Sequence, residues 1–359
     1  MRKVRVGVLG AGVWAIGNHI PILKARDDVE LVGVNRMGEQ QLQAVKEKFG
    51  FQYASLDYRE ILAKELDAVI VSSPAKFHHE QTKAALESGA HVLTEKPFTV
   101  SAADAWDLVT TAKAKDRHLL VSFGYNYKPM VREAKRLMED GGIGSIEYMT
   151  VRMASGIREL LRTGQYPSHV AVPGFPSEYA TWAKPDTSGG GYAPGQLSHA
   201  MGLALWLSGL RVAEAFAWMS NGGTEVDMYD AIALKYEGGA IGTLSGGASP
   251  PDWGRDQLDV RIYGSEGQLI IDVERAFVSR FHGKGKEVRL PLDGSEGAYE
   301  CTGPPNTLID LALGKTVENC APGELGARTV EPVEAAEKSA RTGRAERTRE
   351  RAEGVTPAR

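Results

Sequence analysis

Apolar segments alternate with segments of helical spacing through the first 124 residues of this chain, and this alternation limits its possible folds more than any other feature. We predict strands at residues 4–10, 30–34, 68–71, 91–94 and 119–122, with helices between them at residues 16–25, 39–49, 77–88 and 102–115. Strands that alternate with helices of these lengths form a parallel sheet with right-handed crossovers. The sequence therefore predicts an α/β domain over residues 1–124.

A glycine-rich turn follows the first predicted strand and begins a helix. Its sequence is Gly10-Ala11-Gly12-Val13-Trp14-Ala15. Gly10 suits the tight turn, Gly12 lets the backbone approach a pyrophosphate, and the small Ala15 permits close packing of helix on strand. Free N–H groups at a helix N-terminus favour phosphate. We therefore predict a Rossmann domain that binds a dinucleotide through Gly10, Gly12, Val13 and Trp14.

The end of the second predicted strand, Asn35-Arg36, bears on the choice between NAD and NADP. An acidic residue at this place bonds the ribose hydroxyls of NAD and repels the 2'-phosphate of NADP. Asn35 removes that repulsion, and the Arg36 guanidinium is able to pair with the phosphate or stack on adenine. Asn35 can also bond a ribose hydroxyl, and Arg36 also suits a plain surface position. The pair slightly favours NADP and leaves NAD open.

After Gly124 the pattern changes, because predicted strands follow one another with only short turns between several of them. A helix at residues 128–139 precedes predicted strands at residues 146–153, 212–219, 230–236, 240–245, 258–263 and 267–272. Turns at residues 237–239 and 264–267 join neighbouring strands as hairpins, which predicts a large, open, mostly antiparallel sheet. We expect a C-terminal α+β domain at residues 125–345 and a disordered tail at residues 346–359. The long insert at residues 155–188 is expected to be functional.

Composition and charge exclude several classes of protein. A net charge of −4 gives no reason to expect a nucleic-acid partner, and no apolar run approaches the roughly 20 residues that span a membrane. The first residues lead directly into a strand, without room for a signal peptide. Cys301 and Cys320 match no metal-ligand spacing, and no disulfide is expected between them. We expect a soluble, reduced, cytoplasmic protein without a metal.

The tripeptide Glu95-Lys96-Pro97 follows the strand at residues 91–94, one strand after Ser73-Pro74 and His78. A lysine after a strand is usually a solvated charge. At the carboxyl end of a strand in a dinucleotide-binding sheet it would instead lie beside the nicotinamide ring. The predicted cofactor contacts here are Ser73, Pro74, His78, Glu95 and Lys96.

These motifs together resemble the Gfo/Idh/MocA family, the relatives of glucose-fructose oxidoreductase and inositol dehydrogenase. The matching residues are Gly10 to Ala15, Ser73-Pro74 with His78, Glu95-Lys96-Pro97, Gly124-Tyr125-Asn126-Tyr127, Ser188-Gly189-Gly190-Gly191 with His199, and a closing helix with Ala335, Ser339-Ala340 and Gly343. The resemblance covers about residues 1–345. It implies hydride transfer between a nicotinamide cofactor and a ring hydroxyl or ketone of a sugar, glycoside or cyclic polyol. It also places His78 near the nicotinamide and implies a homo-oligomer, a dimer or tetramer, formed through the C-terminal sheet.

One position departs from the family pattern. Many relatives have an aspartate four residues before the histidine of the second motif, where it helps to orient that histidine. In this chain the position holds Gly195, and Gln196 stands three residues before His199. Gln196 can hydrogen-bond a hydroxyl but cannot take a proton. The departure puts assignment to the familiar inositol or glucose dehydrogenases in doubt.

Oxidation of an alcohol needs a group that takes the hydroxyl proton as the hydride leaves, and the catalytic candidates are Lys96 and His199. Desolvation and a nearby nicotinamide charge would lower the pKa of Lys96 from about 10.4. His199 has a reference pKa of about 6.5, so as the base it would make activity decline below that pH. The sequence leaves the division of roles open.

Further residues are expected to contact the substrate. They are Asn126, Tyr127, Arg152, Trp182, Gln196 and His199, with a lid formed by Arg158, Arg162, Tyr166, His169 and Tyr179 of the insert. Trp182 would stack on a sugar face.

Two other functions stay open. One is a redox-neutral glycosidase or isomerase that holds its NAD tightly, and the other is a non-catalytic sugar or cofactor sensor of the same fold.

Overall fold

The computed structural model describes residues 2–139, 142–166, 170–175, 181–249, 256–283 and 285–348. Its first sheet contains β1 (Val4–Leu9), β2 (Val29–Asn35), β3 (Tyr53–Ser55), β4 (Ala68–Val71), β5 (His91–Thr94) and β6 (Leu119–Val121). The connecting helices are α1 (Val13–Gly17), α2 (His19–Lys24), α3 (Glu39–Phe49), α4 (Tyr58–Leu62), α5 (His78–Glu87) and α6 (Ala102–Ala114). The strand order is β3-β2-β1-β4-β5-β6, and every pairing is parallel. The predicted Rossmann architecture is confirmed.

Continuous apolar strands mark the centre of this sheet because helices cover both of its faces. All four residues of β4 are buried, as are five of the six in β1. The short edge strand β3 was not predicted, since Tyr53 is 44% exposed and the segment lacks an apolar run. The single helix predicted at residues 16–25 is two helices, α1 and α2, which meet at Asn18.

The second sheet is larger and mostly antiparallel. It contains β7 (Ile146–Ser155), β8 (Val212–Ser220), β9 (Tyr229–Tyr236), β10 (Ile241–Ala248), β11 (Gln257–Gly264), β12 (Gly267–Asp272), β13 (Phe277–His282), β14 (Lys286–Arg289) and β15 (Glu346–Arg347), in the order β14-β13-β12-β11-β7-β10-β9-β8-β15. The pairing of β7 with β10 is parallel, and the others are antiparallel. The accompanying helices are α7 (Pro129–Glu139), α8 (Arg158–Thr163), α9 (Pro185–Ser188), α10 (Ser198–Ser208), α11 (Gly303–Ala312) and α12 (Gly323–Thr342).

Three strands of this sheet, β13 to β15, were not predicted. The last of them falls in the segment expected to be a disordered tail, and Glu346 pairs with Ala215 of β8. The tail prediction is therefore wrong for the start of that segment. Residues 349–359 lie outside the described part of the chain.

Within the described part of the chain, helices cover one face of the second sheet. Buried and exposed residues alternate strictly along β9, which is the pattern of a strand with one solvated face. Helices α7, α10 and α12 pack on the buried face, and α12 also packs on α6 of the Rossmann domain. The main-chain N–H of Val121 donates to Ala321 O (2.9 Å), which links β6 to the segment before α12. The two sheets are thus joined through α12, which packs on both domains, and through the segment before it.

No helix in the described part of the chain combines the length and apolar composition that a membrane crossing requires.

Candidate active site

The glycine-rich turn between β1 and α1 forms an open cradle at the carboxyl edge of the first sheet. Gly10 has a φ of +75°, and a β-carbon there would overlap the main chain of Ser73, so the turn requires glycine. The N–H groups of Gly10 and Ala11 donate to Asn35 O (3.0 and 2.9 Å), which fixes the turn against β2. Beside Gly12 there is open space, since an added β-carbon would meet only Gly10 O within 4 Å. The cradle therefore has room for a pyrophosphate.

Ser73, in the loop after β4, lies directly beside this cradle. Ser73 Oγ is buried and has no hydrogen-bond partner among the described residues. A buried polar atom without a partner costs free energy unless a ligand or water satisfies it. The cradle offers space for the pyrophosphate, and Ser73 offers a polar atom that still lacks a partner. The residues present therefore fit the predicted dinucleotide cofactor.

Asn35 lies at the predicted cofactor position, but its side chain is engaged by the protein. Its Nδ2 donates to Ser55 O (3.0 Å) and to Leu56 O (3.0 Å), which uses both amide hydrogens. Asn35 can therefore offer a ribose hydroxyl only its carbonyl oxygen. An Asn35→Asp exchange would lose both bonds and place a carboxylate against two carbonyls. Arg36, half-buried beside it, donates from Nε to Met37 O (3.1 Å).

His78 connects the two loops that carry the predicted nicotinamide contacts. It is 1% exposed, with Nε2 2.7 Å from Ser73 O and Nδ1 2.8 Å from Pro97 O. Burial lowers the pKa of His78, so the neutral ring donates to one of these carbonyls at a time. His78 therefore holds the loop after β4 against the loop after β5.

Glu95 joins the glycine-rich turn to the strand that carries Lys96. Its Oε1 accepts from Trp14 Nε1 (3.0 Å) and His19 Nε2 (2.7 Å), and its Oε2 accepts from the Lys96 main-chain N–H (3.0 Å). Burial alone would raise the pKa of Glu95, but the hydrogen bond from His19 and the nearby Lys96 ammonium outweigh it and lower the pKa to about 2. Glu95 is therefore ionised at neutral pH. The role of His19 was missed, because no spacing motif links it to a glutamate 76 residues away.

Lys96 extends from the end of β5 towards the turn before α10. Its Nζ donates to Gly195 O (2.9 Å) and lies 4.8 Å from the centre of the Trp182 ring. Burial lowers the pKa of Lys96 from 10.5 to about 8, although the charge of Glu95 opposes this shift. A lysine with this pKa is able to exchange a proton near neutral pH, which is the property required of a general base or acid.

His199 lies near the start of α10 inside a cage of aromatic rings. Its ring centroid is 5.7 Å from those of Tyr125 and Tyr299 and 6.1 Å from that of Phe123. His199 is 4% exposed, and its Nδ1 is buried without a hydrogen-bond partner in the described part of the chain. Burial, and then the charge of Lys96, lower the pKa of His199 well below 6.5. The ring is therefore neutral at pH 7.

Gly195 lies in a π-helical turn, Ala193–Leu197, that leads into α10. The space where a side chain would extend is filled by Trp182, since a β-carbon on Gly195 would be 2.5 Å from Trp182 Cζ3. The indole Nε1 of Trp182 donates to Tyr166 Oη (3.0 Å). Gln196 is half-buried on the same turn. Trp182 of the insert therefore lies against the predicted catalytic lysine, and Tyr166 holds the indole.

The structure gives three of the predicted substrate contacts either partners within the protein or a position on the other face of the second sheet. Asn126 is completely buried and donates to Cys320 O (3.0 Å), and Tyr127 donates to Asn319 Oδ1 (3.1 Å), so both hold the segment before α12. Arg152 is exposed on β7, where its neighbours Val151 and Met153 face the helices. Because side chains alternate along a strand, Arg152 points to the opposite face of the sheet from His199.

The predicted lid is described only in part. Arg158 lies on the exposed side of α8 and Arg162 is exposed, whereas Tyr166 contacts Trp182. His169 and Tyr179 lie outside the described residues.

Two tyrosines next to His199 were not predicted to belong to the site. Tyr125 belongs to the quoted Gly124–Tyr127 motif, and its Oη donates to Glu274 Oε1 (2.7 Å). Tyr299 comes from the irregular segment before α11 and lies 4.7 Å from Tyr125 between ring centroids. Tyr299 follows no motif, and only tertiary packing reveals it.

Asp227 fixes the start of the segment that carries His199. Its two carboxylate oxygens accept from Gly191 N (2.7 Å) and Ala193 N (2.6 Å). Its neighbour Asp230 is 4% exposed, and burial together with the charge of Asp227 raises the pKa of Asp230 to about 9. Asp230 is therefore protonated at neutral pH.

We expect the neutral isostere Asp230→Asn to stabilise the protein at alkaline pH. A carboxyl whose pKa rises on folding favours the folded state below its unfolded pKa of about 4, and this contribution is lost as the pH rises to about 9. The variant lacks this loss, so its melting temperature should exceed that of the wild type by at least about 2 °C at pH 8. Thermal unfolding at pH 5 and pH 8 measures the effect. An equal difference at the two pH values would contradict it.

Two models of one protein family match most of the chain. The model described as an oxidoreductase family with an NAD-binding Rossmann fold matches residues 4–123, and the GFO/IDH/MocA C-terminal domain matches residues 131–270. The chain is 27% identical over 280 residues to the myo-inositol 2-dehydrogenase of Thermotoga maritima, covering 75% of each protein. It is 33% identical over 150 residues to the D-glucoside 3-dehydrogenase of Escherichia coli, covering 42% of this chain and 43% of that protein.

Solved structures share the fold along nearly the whole chain. An oxidoreductase domain protein from Kribbella flavida superimposes with a TM-score of 0.79 at 20% identity, covering 98% of this chain and all of that one. A levoglucosan dehydrogenase in complex with NADH and levoglucosan superimposes with a TM-score of 0.75 at 18% identity, covering 97% and 100%. At these identities the likeness concerns the fold alone.

Proposed function

The chain belongs to the Gfo/Idh/MocA family of oxidoreductases, and on that premise we propose that it is an NAD(P)-dependent dehydrogenase acting on a ring hydroxyl of a sugar, glycoside or cyclic polyol. The observation that carries the proposal is Lys96, a lysine of lowered pKa at the cofactor edge of the sheet, within reach of the turn that leads to His199. Relatives named as inositol, glucoside and xylose dehydrogenases support this class of substrate.

The oxidised nicotinamide, when bound, supplies the acceptor for the hydride. The main-chain cradle at Gly10 and Gly12 would hold its pyrophosphate, and Ser73 Oγ would bond it from the neighbouring loop. Glu95 places a buried negative charge close to Lys96. In this proposal these residues hold and orient the cofactor. The proton of the substrate hydroxyl is taken by groups around the substrate.

Lys96 is the base in this proposal, and neutral His199 bonds the substrate oxygen. Lys96 exists in both protonation states near pH 8, so its neutral amine accepts the hydroxyl proton at Nζ. Among the described residues no carboxylate hydrogen-bonds His199, since residue 195 is glycine and Phe123, Tyr125 and Tyr299 surround the ring. Proton transfer to His199 is therefore disfavoured, and its ring serves as a fixed hydrogen-bonding group.

A panel of sugars, inositols and glycosides, assayed by the absorbance of reduced cofactor with NAD and with NADP, tests the proposed function. At least one member should give steady reduction of free cofactor. A protein that keeps its cofactor through gel filtration and converts substrate without net reduction would be a redox-neutral enzyme instead. Cofactor binding without conversion of any compound would identify a sensor.

The preference for NADP is proposed from Arg36. We expect Arg36→Ala to weaken NADP binding by about 10-fold or more and NAD binding much less, because a charged hydrogen bond to the 2'-phosphate would be lost. Fluorescence titration with both cofactors measures this. Arg59→Ala, which removes an exposed arginine paired with Glu80 on the same domain, is the matched control. Equal losses for the two cofactors would withdraw the preference.

We further propose that the chain forms a dimer or tetramer through the open face of the second sheet. Trp218 is 70% exposed, Ile241 53% exposed and Phe281 39% exposed on that face. Exposed apolar groups in such number mark an interaction surface. Light scattering over a range of concentrations measures the assembly.

The cytoplasm is the proposed location, since both cysteines are free thiols and stay reduced there.

A further inference from the structure

The absence of a side chain at residue 195 has a consequence for Lys96. Trp182 fills the space, with ring atoms Cζ3 and Cε3 2.5 and 3.4 Å from the place of a β-carbon on Gly195. A carboxylate at residue 195 and the indole at residue 182 therefore exclude one another. This chain has the indole.

The indole N–H of Trp182 is held by Tyr166, and the face of the ring lies against Lys96. Its Nε1 donates to Tyr166 Oη at the far edge of the ring (3.0 Å), which limits rotation of the indole. The Lys96 ammonium lies 4.8 Å from the ring centre, within the range of a cation–π contact. The same ammonium donates to Gly195 O (2.9 Å), so the indole and the carbonyl fix Nζ together.

We propose that Trp182 is the positioning residue of Lys96: its indole face, in the space beside Gly195, holds the amine against the Gly195 carbonyl and directs it towards the substrate oxygen. The proposal rests on the proposed function, in which Lys96 is the base. In this chain no carboxylate at residue 195 attracts the Lys96 ammonium. The face of the Trp182 ring does so instead.

The ring acts on the proton affinity of Lys96 in two opposite ways. Its negative face favours the ammonium form, whereas its bulk excludes water and disfavours it. The other titratable groups that act on this amine are Glu95, directly after β5, and Cys301 from the segment before α11, and the charge of Lys96 acts in turn on His199 of α10. Replacement of residue 182 removes none of these groups, so a series at that position compares the ring face with the exclusion of water.

The first experiment is the pH dependence of kcat/KM in Trp182→Phe, Trp182→Leu and Trp182→Ala. Activity requires neutral Lys96, so the rate rises with pH through the pKa of the lysine. We call this rising part of the pH profile the limb. Trp182→Phe keeps a ring face, so the midpoint of its limb should stay within about 0.3 of a pH unit of the wild-type midpoint. Leu excludes water without a ring face, so the ammonium loses support and the limb should move down by about 0.5 to 1 unit. Ala admits water, so the limb should move up towards the ordinary lysine value.

Coincident limbs for Phe and Leu would overturn the proposal, because only the ring face distinguishes them here. A fall in kcat with no movement of the limb in any variant would assign Trp182 a structural role and would likewise overturn it. The limb is expected to move down in Trp182→Leu and up in Trp182→Ala. A general loss of folding would not shift the two variants in opposite directions.

The second experiment needs no turnover and uses the free protein. The fluorescence of Trp182, taken as wild type minus Trp182→Phe, should change with pH through a transition near 8 that Lys96→Met removes. Trp206, whose ring centre lies 4.9 Å from Lys135 Nζ, is the matched control, and its signal should not respond to Lys96→Met. A transition without catalysis on any sugar would retain the positioning role and reject the proposed function. A signal unaffected by Lys96→Met would overturn the positioning role itself.

A double-variant cycle tests the exclusion between residues 182 and 195. Gly195→Asp alone must displace the indole, and kcat should fall by about 10-fold or more. In Trp182→Ala/Gly195→Asp the carboxylate gains room beside Lys96, so the double variant should be more active than Gly195→Asp. Losses that simply multiply would show that the two residues do not compete for one place, and would overturn the proposal.

Discussion

Lys96→Met should lower kcat by about 100- to 10,000-fold and leave the affinity for the cofactor within about two-fold, because the side chain acts on the reacting oxygen and not on the phosphates. Its Nζ is held by Gly195 O and the Trp182 ring, at the turn before α10. Steady-state kinetics on the best sugar of the panel, with a cofactor titration, measure both quantities. A variant that keeps more than about a tenth of the wild-type kcat would remove Lys96 from the mechanism.

Two further variants define the role of the lysine. Lys96→Arg keeps the positive charge but cannot lose a proton, so as a replacement for a base it should be as inactive as Lys96→Met. Partial activity of Lys96→Arg would indicate that the residue polarises the oxygen without taking the proton. Lys76→Met, at an exposed lysine on the turn before α5, is the matched control and should resemble the wild type.

The pH profile should follow Lys96 and not His199. At saturating oxidised cofactor, kcat/KM for the sugar should rise through a pKa of about 8 or somewhat lower, since burial lowers the pKa of Lys96 and the bound nicotinamide adds a positive charge. From the sequence alone, a decline below about pH 6.5 was expected if His199 is the base. That expectation is withdrawn, because burial in the aromatic cage keeps the pKa of His199 well below 6.5.

His199→Asn should therefore lower kcat/KM by about 10- to 100-fold, the value of a hydrogen bond to a group that gains charge, without moving the limb. Profiles of the wild type and the variant between pH 5.5 and 9.5 measure this, and the position of the limb is the decisive quantity. A limb near pH 6.5 that disappears in His199→Asn would make His199 the base and leave Lys96 as an electrostatic contact.

The order of elements in the first domain could be predicted, because local signals carry it. The apolar run of β4 and the glycine-rich turn after β1 are each readable within a few residues. Edge strands such as β3 and β15 could not be predicted, since they have only two or three residues, none of them buried, and lack a period that marks a strand. Their pairing depends on a neighbouring strand already in place.

For the proposed site, the sequence by itself pointed to Lys96 and His199 as catalytic candidates, because each stands in a motif of fixed spacing. It determined neither which of them takes the proton nor what surrounds them. Arg152 shows the limit, since its chemistry suits a sugar but the register of β7 turns it to the outer face.

The tertiary structure alone decided the electrostatics. His19 reaches Glu95 across 76 residues, and Tyr125 meets Glu274 across 149. Desolvation depends on every atom around a group, so the lowered pKa of Lys96 and that of His199 exist only in the folded chain. The sequence determined that residue 195 is a glycine. Only packing decided that Trp182 would take the space beside it, because this contact joins the insert to the turn before α10.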